Sequence, residues 1–191
     1  MNRRPAPARP ARLPAMLIAL SLWTLVACGA PDPLTDENTD GAGSIATASG
    51  LHPPFHRVDF TLPDLAGQPR QLSEWDGELV ILNFWATWCP PCTKEMPLFQ
   101  DRYERHAQQG LTFVAVAVDE LAETRDFVDT FGIEFPVLIG QDDAIAVGRE
   151  YGNRIGALPF TVVIDREGRV QETHRGEVTE SDLEDWLQRY L

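Results

Sequence analysis

The chain has 191 residues, which is enough for one ordinary domain with extensions. Hydrophobic residues make up 43% of it and charged residues 24%, as is usual for globular proteins. The formal net charge is -13, and without residues 1–27 it becomes -17, from 12 basic and 29 acidic residues. A surface this acidic argues against nucleic acid as a partner, because phosphate binding depends on lysine and arginine.

The first 27 residues have the pattern of a secretory signal. Residues 1–12 carry four arginines and no acid, and residues 13–27 are apolar and uncharged. This run is shorter than the roughly 20 residues that span a bilayer. It ends in Leu25-Val26-Ala27-Cys28, which resembles the bacterial lipobox, where cleavage precedes a lipidated cysteine. We therefore predict a lipoprotein signal peptide over residues 1–27 and lipidation at Cys28, with an uncleaved anchor or a free thiol as alternatives.

Residues 28–54 are predicted to form a flexible tether. They are rich in Gly, Ala, Thr, Ser, Pro and Asp, so they bury too little apolar surface to offset the entropy of ordering. Such a segment has a root-mean-square reach of about 25–30 Å. Several acyl chains on Cys28 would hold the protein at a membrane. The predicted location is the cell envelope, facing the periplasm and lipid-anchored to the inner or outer membrane.

Strands and helices alternate in the predicted domain, residues 55–191. Period-two alternation over 55–62 and a turn at 64–67 predict a hairpin that returns through 70–72. Apolar runs predict further strands at 78–86, 111–118, 135–139, 160–164 and 169–173. Helices are predicted at 91–109, 123–131 and 142–151, with a last one that starts at Thr179. This order is typical of an α/β sandwich, with helices flanking a mixed central β-sheet.

Trp88-Cys89-Pro90-Pro91-Cys92 lies where the strand at 78–86 passes into the next helix. Unpaired N–H groups and the helix dipole stabilise a thiolate at such a helix start. A thiolate with a second thiol three residues away can attack a disulfide and then be resolved by its neighbour. We therefore predict that Cys89, at the exposed helix start, is the nucleophile and that Cys92 is the resolving thiol of a redox-active disulfide. Pro90 and Pro91 stiffen this loop at positions where a missing N–H costs nothing.

A structural zinc half-site and two inert buried thiols are the alternatives for this cysteine pair. Zinc takes four ligands, and the chain has no second CxxC pair to complete a site. The other candidate ligands are Cys28, His52, His56, His106 and His174. Neither a metal nor a cofactor is predicted. With three cysteines in all, no pair is left for a structural disulfide.

Two stretches resemble membrane-anchored thioredoxin-like proteins of the TlpA/ResA type. They are residues 83–97, from Asn83 through the CxxC to Pro97, and residues 156–165, around Leu158-Pro159. The resemblance runs from about residue 57 to the C-terminus. It implies a thioredoxin-like fold with an N-terminal β-hairpin, and with an extra strand and helix inserted between the CxxC helix and the proline loop.

The resemblance also implies roles for residues near the cysteines. It implies that the Leu158–Pro159 bond is cis and that Pro159 lies beside the CxxC, exposing a strand edge to a partner polypeptide. A trans proline in a surface turn is the alternative. Trp88 is predicted to be a partly exposed aromatic wall beside the sulfurs. The predicted substrate-binding residues are Trp88, Pro90, Pro91 and Leu158.

Glu95 and Asn83 are the polar residues of interest in the motif. The resemblance implies an acidic residue at Glu95 that modulates the thiol pKa, and a solvated helix charge is the alternative. Asn83 stands where thioredoxin has a buried aspartate, so this chain departs from the thioredoxin pattern there. Phe84 and Trp85 are predicted to be core residues.

The predicted function is thiol–disulfide exchange outside the cytoplasm, through a mixed disulfide at Cys89. The resemblance implies a reductase of protein disulfides that receives electrons from a membrane thiol carrier, and the protein is predicted to be a monomer. Its substrates would be apocytochrome c or other oxidised secreted proteins. A thiol peroxidase of the peroxiredoxin type and a Cu(I)-handling metallochaperone are the alternatives. The residues before Cys89 differ from the peroxidatic pattern, and the related copper proteins carry CxxxC rather than CxxC.

Overall fold

The computed structural model describes residues 53–191, so the predicted signal peptide, Cys28 and most of the predicted tether lie outside the described residues. The strands are β1 (Phe55–His56), β2 (Thr61–Pro63), β3 (Pro69–Gln71), β4 (Leu79–Trp85), β5 (Leu111–Ala117), β6 (Val137–Ile139), β7 (Phe160–Ile164) and β8 (Arg169–Arg175). The helices are α1 (Pro90–His106), α2 (Leu121–Phe131), α3 (Gln141–Glu150) and α4 (Glu180–Tyr190). Short 3-10 helices cover Leu72–Trp75 and Ala107–Gln109.

The central sheet is mixed, as predicted. Its strand order is β1-β8-β7-β4-β5-β6. Strand β4 pairs in parallel with β5 and antiparallel with β7, and β5 pairs in parallel with β6. Strand β6 and helix α3 lie between α1 and β7 in the chain, which confirms the inserted strand and helix. Strands β2 and β3 form the N-terminal hairpin as a separate two-stranded sheet.

The prediction of one strand over residues 55–62 is wrong in its middle part. Strand β1 joins the edge of the central sheet through Phe55 opposite Val170, whereas β2 pairs with β3. Residues 57–60 between them belong to no strand. The guanidinium of Arg57 makes a bidentate contact with Asp76, with nitrogen–oxygen distances of 2.6 and 2.8 Å. Over residues 57–60 the chain thus passes from the edge of the central sheet to the hairpin.

A buried apolar layer lies on each face of the central sheet. Every residue of β4, β5 and β7 is buried, because helices and the hairpin cover both faces of these strands. One layer includes Trp85, Met96 and Trp186, and the other includes Phe84 and Ala144. The predicted core positions of Phe84 and Trp85 are thus confirmed. The continuous apolar runs in the sequence follow from burial on both faces.

Helices α1 and α4 are joined by a buried arginine. The side chain of Arg102 is 6% exposed, and its Nη2 lies 2.7 Å from a carboxylate oxygen of Glu180 and 2.8 Å from one of Glu184. It also contacts the carboxylate of Asp101. Within residues 53–191, none of the helices is both long and apolar enough to cross a membrane.

Candidate active site

A disulfide joins Cys89 and Cys92 where β4 passes into α1, with a sulfur–sulfur distance of 2.03 Å. Cys89 is the N-cap of α1, and Pro90 and Pro91 occupy the first helical positions. The first turn of α1 contains no acidic residue. The positive end of the dipole of this 17-residue helix is therefore directed at the sulfurs. No carboxylate in the first turn reduces that positive potential.

The two cysteines differ in their access to solvent. Cys89 keeps 5% of its surface exposed, and Cys92 keeps none. Cys89 is less exposed than the sequence predicts, because in this disulfide form it belongs to the apolar layer beneath α1. Of the two cysteines, Cys89 is nevertheless the one that a partner can reach, which agrees with its predicted position at the helix start.

The loop before the cysteines is tied to the neighbouring strand. The backbone N–H and the hydroxyl of Thr87 both donate to the same carboxylate oxygen of Asp119, at 2.7 and 2.6 Å. Asp119 follows β5 and is nearly buried. The indole of Trp88, the next residue, projects into solvent with 66% of its surface exposed. Trp88 is therefore an exposed aromatic group next to Cys89, as predicted.

The proline loop lies at the same edge of the sheet. Phe160, the first residue of β7, pairs with Phe84 near the end of β4, so the loop before β7 meets the loop that carries the cysteines. The Leu158–Pro159 peptide bond is cis, which confirms the prediction. The carbonyl of Pro159 accepts a hydrogen bond from the N–H of Gly176 at 3.0 Å.

One side chain holds the backbone before the proline. The amide of Asn153 donates to the carbonyl of Ala157 at 2.8 Å and accepts from its N–H at 2.9 Å. Within residues 53–191, the N–H and carbonyl of Leu158 have no hydrogen-bond partner. The backbone of Leu158 is thus left without a hydrogen-bond partner inside the described part of the chain. Ile155, two residues after Asn153, is 84% exposed.

Glu95 is buried beneath the site, so the alternative of a solvated helix charge is wrong. It is 1% exposed and lies one turn after Cys92 on α1. The amide of Asn83 donates to one carboxylate oxygen and the N–H of Val178 to the other, each at 2.8 Å. Burial raises the pKa of Glu95 to about 7, with a further rise from the charge of Glu177, although these two hydrogen bonds lower it.

Asn83 connects Glu95 to the sheet. Its amide nitrogen also donates to the hydroxyl of Thr161 on β7 at 3.0 Å. Its amide oxygen is buried and has no partner among the described residues. The buried acid near the cysteines thus comes from α1, through Glu95, and the central strand supplies an amide that binds it.

Comparison with known proteins identifies the family. The sequence model of the AhpC/TSA family matches residues 56–173, which is more than half of the chain. The chain belongs to the AhpC/TSA family. A thiol-disulfide oxidoreductase ResA of Geobacillus thermodenitrificans is 37% identical over 131 residues, covering 68% of this chain and 73% of that relative. A ResA of Halalkalibacterium halodurans is 39% identical over 132 residues, covering 69% and 73%.

Solved structures give the same assignment. The crystal structure of a thiol:disulfide interchange protein of the thioredoxin family from Chlorobium tepidum superposes with a TM-score of 0.66 and 28% identity. It covers 73% of this chain and 98% of that structure. This AhpC/TSA protein is therefore a thioredoxin-like thiol–disulfide oxidoreductase, which confirms the predicted fold, family and enzyme class.

Several residues that shape the site had no signal in the sequence. Asp119, Asn153 and Val178 reach the site only through contacts between distant segments. In the sequence, Ile155 does not differ from other apolar residues in loops, and only the structure shows that it is exposed. Among residues 53–191, no three or more His, Cys, Asp or Glu side chains are grouped so that they could hold a metal ion.

Proposed function

We propose that this protein reduces disulfides of polypeptides outside the cytoplasm, while a lipid on Cys28 anchors it to a membrane. The observation that carries the proposal is the pairing of Cys89 and Cys92 at the start of α1, one turn from a buried acid. The resemblance to TlpA/ResA-type proteins supports a role in cytochrome c maturation or in general disulfide reduction. Residues 1–27 would direct export, and residues 28–54 would tether the domain.

The exchange proceeds in two displacements once the pair is reduced. The Cys89 thiolate attacks one sulfur of the substrate disulfide, which forms a mixed disulfide and releases the other substrate sulfur as a thiolate. The Cys92 thiolate then attacks the Cys89 sulfur, which releases the second substrate sulfur. The substrate disulfide gains two electrons and two protons, and the Cys89–Cys92 disulfide forms. A dithiol carrier in the membrane restores the reduced pair by the same exchange in reverse.

Glu95 is the group that exchanges the proton of Cys92. The resolving thiol must lose a proton before it attacks, and its residue is fully buried. Glu95 lies three residues further along α1, which places both on neighbouring positions of the helix surface. Since its pKa is raised to about 7, this carboxyl can both accept and return a proton at neutral pH.

The substrate would bind across the edge that carries the disulfide. The free N–H and carbonyl of Leu158 can pair with an extended polypeptide, as a further strand pairs with a sheet edge. Trp88 and Ile155 would contact apolar side chains of that polypeptide from either side. Pro90 and Pro91 leave the approach to Cys89 free of competing N–H donors.

Trapping of the mixed disulfide tests the mechanism. In a Cys92→Ala variant the mixed disulfide at Cys89 cannot be resolved, so polypeptides should remain covalently bound and be released by dithiothreitol. Cys89→Ala is the matched control and should trap none. Absence of adducts in both variants would contradict the exchange mechanism.

The direction of transfer and the two alternatives need separate measurements. A reduction potential near that of thioredoxin, about -270 mV, is expected for a reductase, whereas about -120 mV would identify an oxidant. If the protein consumed hydrogen peroxide as fast as it reduces the disulfides of insulin, the peroxidase alternative would be favoured. Stoichiometric Cu(I) binding that both cysteines support, together with failure to trap polypeptides, would favour the metallochaperone.

A further inference from the structure

Two residues of the loop between β8 and α4, residues 176–179, are hydrogen-bonded to the site, and a third contacts the preceding strand. The N–H of Gly176 donates to the carbonyl of Pro159 at 3.0 Å. The carbonyl of Glu177 lies 3.1 Å from Nε2 of His174, in hydrogen-bond contact. The N–H of Val178 donates to Glu95 at 2.8 Å. These contacts fix the β8–α4 loop, which carries Glu177, next to the buried carboxyl of Glu95.

Glu177 forms an ion pair across this loop with the residue next to Glu95. Its carboxylate oxygen lies 2.5 Å from Nζ of Lys94 on α1. The Lys94 side chain is exposed and that of Glu177 is partly buried. Lys94 is the only lysine in the 191 residues. Lys94 directly precedes Glu95, and Glu177 directly precedes Val178, whose N–H donates to Glu95.

We propose that Lys94 and Glu177 are positioning residues for Glu95, and that the two charges act on its proton in opposite directions. The inference rests on the proposed function, in which Glu95 exchanges a proton with Cys92. The anion of Glu177 favours the protonated carboxyl, and the cation of Lys94 favours the carboxylate. The Glu177 carboxylate adds to the rise in the Glu95 pKa that burial causes, and the Lys94 cation in contact with it opposes this addition.

The other polar groups around Glu95 do not provide this balance. Asn83 on β4 and Thr161 on β7 are neutral. His174 on β8 is directed at the carbonyl of Glu177, and Asp182 on α4 is bonded to Thr179. Among the charged groups on these elements, Glu177 is the one whose charge acts on Glu95, and Lys94 is in direct contact with it.

Opposite responses of the two partners distinguish this role from a structural one. A surface ion pair that only ties α1 to the loop is worth little, and loss of either partner would then have the same effect. If the pair sets the charge near Glu95, Glu177→Gln should lower the titration midpoint of the Glu95 carboxyl, and Lys94→Gln should raise it. Each shift is expected to be about half a pH unit or more at low salt.

The measurement is carbon-13 NMR of the Glu95 side-chain carboxyl in the disulfide form of each protein, from pH 5 to pH 9. Glu150→Gln is the matched control, because α3 packs on the opposite face of the sheet from α1. It should leave the midpoint unchanged. Shifts in opposite directions support the inference. Shifts in the same direction, or none, overturn it.

Chemical modification provides a second test that needs no substitution. Acetylation of amines removes the charge of Lys94, since the only other primary amine is the N-terminus. It should raise the Glu95 midpoint as Lys94→Gln does, and an unchanged midpoint would again overturn the inference. Both titrations are done without substrate. Their outcome is therefore distinct from that of the Cys92→Ala trap, which tests the exchange mechanism itself.

Discussion

Replacing Glu95 with glutamine should change how the stability of the disulfide form depends on pH. The buried carboxyl accepts from Asn83 and Val178, and glutamine retains one acceptor oxygen for Val178. Rotation of the Asn83 amide by 180° would present its oxygen, unpartnered in the wild type, to the new side-chain amide of Gln and to the Thr161 hydroxyl. Glu95→Gln is therefore expected to fold with the site intact.

The magnitude follows from proton linkage. The pKa of Glu95 rises from its ordinary value of 4.5 to about 7 on folding, so the folded protein holds this proton more tightly than the unfolded chain. The contribution of Glu95 to the free energy of unfolding is then greatest below pH 4.5. It is lost as the pH rises through 7, by about 3 kcal/mol in all. About 2.5 kcal/mol of this loss lies between pH 5 and pH 8.5. The variant has no such group and should not suffer this loss.

The assay is urea unfolding of both proteins at several pH values without reductant, so that the disulfide stays intact. Other titrating groups are common to both proteins and cancel in the difference. Between pH 5 and pH 8.5 the difference in unfolding free energy should move by about 2.5 kcal/mol in favour of Glu95→Gln. Glu104→Gln, which removes an exposed carboxyl from the same helix, should parallel the wild type. Parallel profiles for Glu95→Gln and the wild type would refute a raised pKa at Glu95.

Two further predictions concern the proposed substrate contact of Ile155 and the contact between α1 and α4 through Arg102. Ile155→Ser should lower kcat/KM for a protein disulfide by roughly fivefold and leave reduction of a small aromatic disulfide unchanged. Phe131→Ser, at a half-exposed phenylalanine at the end of α2, is the control, and an equal loss in both variants would contradict a substrate contact at Ile155. Arg102→Met should lower the unfolding free energy by about 1–2 kcal/mol, because it removes the buried cation between α1 and α4. Arg105→Met, at an exposed arginine one turn further along α1, should cost less than about 0.5 kcal/mol, and comparable losses would contradict the reasoning.

The cysteine motif and most elements could be predicted because their signals are local. The apolar runs of β4, β5 and β7 indicate buried strands without any knowledge of their neighbours. Cys89 and Cys92 are one helical turn apart directly after such a strand, and this arrangement favours a redox pair at a helix start. The division of residues 55–62 between two sheets was not predictable in this way, because it depends on which partner strands they meet: β1 pairs with β8, far away in the chain, and β2 pairs with β3.

The amino-acid sequence by itself determined the enzyme class and the α/β sandwich with its mixed sheet, since the cysteine motif and the order of elements can both be read along the chain. Only the tertiary structure decided the state of Glu95. Its pKa depends on burial and on a hydrogen bond from Val178, 83 residues away in the chain. Desolvation is a property of whatever packs over a group, so the same glutamate on an exposed helix would be an ordinary carboxylate. The fold thus converts a helix glutamate into an acid that can hold its proton near neutral pH.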